Sequence, residues 1–114
     1  MTLPPIRYAD LVAMGCDPAT SWTFDDGVVS ATPAPPRLVL ELVNAAMSSE
    51  PPDPDQNIAT YVRHVRTLLL SLTDWTQLGD APLTADQRAV WATYRQALRD
   101  MPAAGAVQWP SIPG

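Results

Sequence analysis

Between Asn57 and Leu72 the apolar residues recur at intervals of three and four: Ile58, Tyr61, Val62, Val65, Leu68, Leu69 and Leu72. That spacing gathers them on one side of a 3.6-residue helix and leaves Arg63, Arg66 and Thr67 on the other. Asp55 or Asn57 is placed to cap it, and Thr73-Asp74 to close it. A rod of this length is roughly 24 Å long. The same period returns after Thr84, in Val90, Trp91, Tyr94, Ala97, Leu98 and Met101. Thr84-Ala-Asp-Gln87 has the form of a capping box, and Pro102 stops the helix. The connection from Asp74 to Leu83 is short, so the two helices are expected to pair as an antiparallel hairpin. Trp75, Leu78 and Leu83 are too apolar for an indifferent loop. They are expected to tuck against both helices and set their angle.

Upstream the pattern changes. Arg37 to Met47 carries Leu38, Leu42, Ala45 and Ala46 at helical spacing, with Val39, Leu40 and Val43 filling the gaps. A segment apolar on nearly all sides is buried or paired. A strand over Leu38–Leu42 competes with a helix here, and the length of the run favours the helix. Pro36 suits its first turn, and Ser48 to Asp55 reads as a loop. Near the start, Tyr8 to Met14 predicts one or two helical turns, ended by Gly15 as a left-handed cap. Asp17-Pro18 favours a turn. Asp26-Gly27 sits between β-prone residues, a hairpin signal, with Trp22, Phe24 and Val28 or Val29 as its apolar face. Pro33-Ala-Pro35-Pro36 reads as a short extended connector, with a polyproline ligand as the sharper alternative. Ala103 to Gly114 is an extended tail whose Trp109 argues for docking, on this chain or another. The predicted fold is mainly α: a C-terminal antiparallel helical hairpin, a short N-terminal β-hairpin and an extended C-terminal tail. Residues 1–36 form a small N-terminal segment and 37–114 a helical domain ending in the tail.

A chain of 114 residues, 46% hydrophobic, suits one domain with a modest core. Its 13 prolines cluster between the predicted elements and act as punctuation. A net charge of −5 argues against nucleic acid as a partner. Cys16 is the only cysteine, which fits a reducing compartment. The first ten residues lack the apolar core of a signal peptide, and no apolar run is long enough to span a membrane. A cytoplasmic chain is expected.

No constellation points to catalysis. His64 is the only histidine, so with one cysteine a transition-metal site is not expected. A Cys16/His64 nucleophile pair is open on spacing alone, but nothing around Cys16 resembles a protease or redox signature. Asp53, Asp55 and Asn57 alternate like a calcium loop, yet Pro54 intervenes and the glycine and closing glutamate are missing. The glycines are scattered singly, so there is no phosphate loop. The expectation is a non-enzyme without cofactor or metal. The aromatic residues remain. Trp91 and Tyr94 share a helix face and read first as core filling; the other reading, with Arg95, Leu98 and Trp109, is a partner-binding surface edged by Arg99. Four tryptophans are hard to hide in so small a fold, which favours a partner or self-association.

The ordered run Thr73-Asp-Trp-Thr-Gln77, Asp80-Ala-Pro-Leu-Thr84, Trp91-Ala-Thr-Tyr-Arg-Gln-Ala-Leu-Arg-Asp100 and Pro102, closed by Val107-Gln-Trp-Pro110, resembles the tail assembly chaperone family of tailed bacteriophages, which includes tail fibre assembly proteins. The resemblance covers about Leu69 to Pro110. Met1 to Asp55 does not match the family's usual upstream region. The resemblance implies a non-enzymatic protein of the host cytoplasm that binds a tail fibre or receptor-binding protein and aids its folding, trimerisation or attachment. The alternative it leaves is a permanent structural component of the virion tail. It brings no catalytic residues with it.

Overall fold

The computed structural model describes residues 6–25, 28–33, 35–102 and 108–113. Helix α1 (Tyr8–Ala13) leads into an antiparallel pair, β1 (Ser21–Asp25) and β2 (Val28–Thr32); α2 (Arg37–Ser49), α3 (Ile58–Thr73), a 3-10 turn (Asp74–Gln77) and α4 (Ala85–Asp100) follow. The mainly helical fold with one small sheet is as the periodicity predicts.

The helix ends are set by local chemistry. Asn57 opens α3: its Oδ1 accepts the Thr60 N–H at 3.1 Å. At α4 the capping box closes in both directions, Gln87 N–H to Thr84 Oγ1 at 3.1 Å and Thr84 N–H to Gln87 Oε1 at 2.9 Å. Each bond satisfies a donor that a first turn otherwise leaves free. Leu38–Leu42 is helical, and α2 runs on past Met47 to Glu50, a left-handed C-cap at φ 51°. Gly15 ends the first helical segment at φ 114°, a conformation that L side chains resist. In the sheet Trp22 faces Ala31. Trp22 is buried, with Val29 and Ala31 packed beside it. The expected turn at Asp26-Gly27, and the side chains of Phe24 and Val28, lie outside the described residues.

The core is layered, α2 on α3 and α3 on α4, with β2 against α2. Val39, Leu42, Val43 and Ala46 of α2 meet Tyr61, Val62, Val65 and Leu69 of α3, and Ile6, Leu11, Met14, Cys16 and Trp22 join the same cluster. A polar knot ties the N-terminal segment to α3. Buried Asp10 accepts Tyr61 Oη–H at 2.7 Å and Arg7 Nε–H at 2.9 Å, and the Arg7 backbone N–H donates to Tyr61 Oη at 3.1 Å. Hydrogen bonding to Asp10 raises the Arg7 guanidinium's pKa, and burial pushes the Tyr61 phenol well above its usual value.

Two expectations about the hairpin are corrected. Trp75 and Leu78 do not tuck inward; they are 44% and 55% exposed, and only Leu83 is half-buried. The 3-10 turn continues directly from α3 and presents Thr76, not Trp75, to the interior. Polar groups fix the joint instead. Thr76 Oγ1 donates to Thr73 O at 2.6 Å, and Arg95 of α4 donates to Leu70 O at 2.7 Å, Thr73 Oγ1 at 2.8 Å and Asp74 Oδ1 at 2.7 Å. The last carbonyls of a helix lack intrahelical partners and carry the negative end of its dipole, so a cation fits there. Arg66, expected on the free side of α3, repeats the device in the other direction. It crosses to α4 and donates to Met101 O at 2.8 Å.

Candidate partner-binding face

The five residues singled out by sequence occupy different depths. Leu98 is fully buried, and Arg95 is buried with its guanidinium engaged at the end of α3. Tyr94 is buried, its ring edge-on to Trp91 at 5.8 Å between centroids. Burial pushes the Tyr94 phenol up, and its hydroxyl has no hydrogen-bond partner among the described residues. Trp109 is buried within the core cluster, and its indole N–H is likewise unpartnered among the described residues. Trp91 alone of the five is half-buried.

The apolar surface lies beside these residues. Val90, which the periodicity places in the apolar stripe of α4, is 52% exposed. The sequence carries one hint of this: Val90 and Trp91 are consecutive, so both cannot face the same neighbour. Trp91 is the shared wall of two grooves. One, of about 380 Å³, lies between α2 and the end of α3, lined by Leu38, Leu72 and Trp75 with Arg37 and Glu41 at its rim. That pair is joined at 3.2 Å and well exposed, so it adds little. The other, of about 350 Å³, is lined by Leu83, Asp86, Gln87, Val90, Trp91 and Pro113. From Val90 a third groove, of about 470 Å³, follows Tyr94 and Ala97 beneath residues 110–113 of the tail. The tail therefore runs back along α4, and Ile112 N–H donates to Met14 O at 3.3 Å. This surface can bind apolar side chains, and its aromatic residues Trp75 and Trp91 sit on the α3–α4 hairpin.

The polar candidates do not converge. Cys16 is buried, its Sγ contact going to Asp17 O. His64 Nε2 lies 3.0 Å from Ser49 Oγ, an exposed pair at the C-terminal end of α2. The free backbone groups at such an end are carbonyls, which would repel a developing oxyanion rather than stabilise it. No group of three or more His, Cys, Asp or Glu suited to a metal ion occurs among the described residues, and no described helix is long and apolar enough to cross a membrane.

Residues 59–114 match the family model described as phage tail assembly chaperone protein. No curated protein and no solved structure matches the chain. The matched stretch spans nearly all of α3, the 3-10 turn, α4 and the tail, and so includes Trp75, Val90, Trp91 and Trp109. Residues 59–114, just under half of the chain, are thus similar to the phage tail assembly chaperone family.

Proposed function

We propose that this protein is a non-enzymatic chaperone of tail fibre assembly, binding the fibre protein and aiding its folding, trimerisation or attachment in the host cytoplasm. The observation that carries the reading is the open apolar face of the family-matched stretch, where exposed Trp75 and exposed Val90 each share a groove with half-buried Trp91. A subunit of an obligate oligomer exposes apolar interfaces before it assembles. Tryptophans beside a hydrogen-bonded helical joint can cover such surface. Tyr94, Arg95, Leu98 and Trp109 support that face from beneath. Binding of this kind requires no cofactor.

Co-expression with a tail fibre protein of the same phage tests the reading: soluble fibre trimer should accumulate only when this chain is present. Equal trimer yield without it would sink the proposal. Mass spectrometry of purified particles then separates a transient chaperone from a permanent tail component, since a stoichiometric amount of the chain in virions fits only the latter.

A further inference from the structure

We infer that the outer edge of β2 (Val28–Thr32) is a self-association site, on which the same strand of a second copy of this chain pairs in antiparallel. The inference goes beyond the chaperone reading and stands without it, because it concerns residues upstream of the family-matched stretch.

The sheet has two strands and therefore two edges. Asp25 and Val28 are paired across two intervening residues, so they exchange ladder hydrogen bonds. By alternation Thr23 and Ser30 do the same, as do Ser21 and Thr32. The backbone N–H and C=O groups of Trp22 on β1, and of Val29 and Ala31 on β2, therefore point away from the sheet. Trp22 is 3% exposed, which closes the middle of the β1 edge. Val29 and Ala31 pack on the core and yet are only half-buried. No backbone group elsewhere among the described residues bonds to either. The edge of β2 is the open one. Edges are commonly guarded by a lysine, a proline, a bulge or a covering segment. Val-Val-Ser-Ala-Thr carries no charge and no proline, its register runs without a bulge, and its length is ordinary for a strand.

A row of N–H and C=O groups at this spacing is matched by another extended strand. Three features select this chain's own β2. Set antiparallel about a two-fold axis at Ser30, Val29 of each copy faces Ala31 of the other, and the outward groups of all four residues are paired. Ser30 then meets its own counterpart on the exposed face, where hydroxyl pairs are favourable and no like charges are opposed. The Asp25 ends of the two hairpins run in opposite directions, so chains of net charge −5 do not set acid against acid. The product is a four-stranded sheet, whereas two strands alone are marginal.

The test uses the full chain. Sedimentation equilibrium across a dilution series should show monomer and dimer in exchange. Ser30→Lys, at an exposed position, puts like charges opposite each other and should weaken the dimer about fivefold, with an unchanged melting temperature in dilute, monomeric solution. Ser30→Asp should do the same, and an equimolar mixture of the two variants should recover the dimer. Cross-linking reads the register. Directly opposed residues of a non-hydrogen-bonded pair lie about 4.5 Å apart at Cα, within reach of a disulfide. Ser30→Cys should therefore cross-link on mild oxidation. Thr32→Cys, whose two copies would lie more than about 13 Å apart, should not. A natural chain that stays monomeric, a dimer indifferent to Ser30→Lys, a mixture that does not recover it, or equal cross-linking at both positions overturns the inference. Loss of fibre trimer with Ser30→Lys, when the natural chain is monomeric, assigns the edge to the fibre protein and likewise overturns it. The chaperone reading is unaffected by each of these results.

Discussion

Tyr61 and Tyr94 are both buried phenols, and their hydroxyls meet opposite fates. Tyr61 donates to Asp10, itself only 5% exposed. Tyr61→Phe should therefore cost about 1–3 kcal/mol in urea unfolding, because a buried carboxylate loses a donor. Tyr94→Phe removes a hydroxyl that has no partner among the described residues and should be neutral or slightly stabilising by the same measurement. Burial raises both phenols' pKa values in the folded state. A raised pKa contributes stability that is fully present below the unfolded value of about 10 and is lost as pH rises beyond it. Unfolding midpoints should fall above that pH, and the double Tyr61→Phe/Tyr94→Phe chain should show a flatter decline. Nothing in the residue string separates these tyrosines, since each lies on the apolar side of a helix. Their difference comes from Asp10, 51 positions away from Tyr61.

The helices were legible because their signals are local. Periodicity, the Asn57 cap and the Thr84–Gln87 box act within a few residues, and each survives into the fold. Thr84→Ala should cost about 1 kcal/mol of stability, measurable as a lowered unfolding midpoint with no change in fold by circular dichroism. The connection between α3 and α4 was less legible. Its apolar residues predicted an inward clamp, but the free carbonyls at the end of α3 make a polar joint around Arg95 and Thr76, and Trp75 and Leu78 stay outside. Leu78→Ser should leave stability within about 0.5 kcal/mol, as for other surface changes. A loss of several kcal/mol in thermal melts would return Leu78 to the clamp first expected of it. The same residues carry the candidate site, so its exposed members, Trp75 and Val90, were found only in the fold.

Taken whole, the molecule is closed from both ends. The N-terminal segment brings Ile6, Leu11, Met14 and Trp22 into the core, and the tail brings Trp109 and rests on Met14. Trp109→Ala should cost about 3–5 kcal/mol, a large share of the roughly 5–15 kcal/mol that holds an ordinary domain together. Differential scanning calorimetry would check it, and an unchanged melting temperature would mean that the tail is not part of the core. What the amino-acid order determined alone was the set of helices, their caps, the small hairpin and the family signature of the C-terminal half. These depend on neighbours within a turn or two. Only the tertiary structure decided which aromatic residues are covered: Trp109 inside, Trp75 outside, Trp91 between. Periodicity assigns a side chain to a face of its own helix. What lies against that face depends on segments distant in sequence, and here these are the tail along α4 and the arginines that cross between α3 and α4.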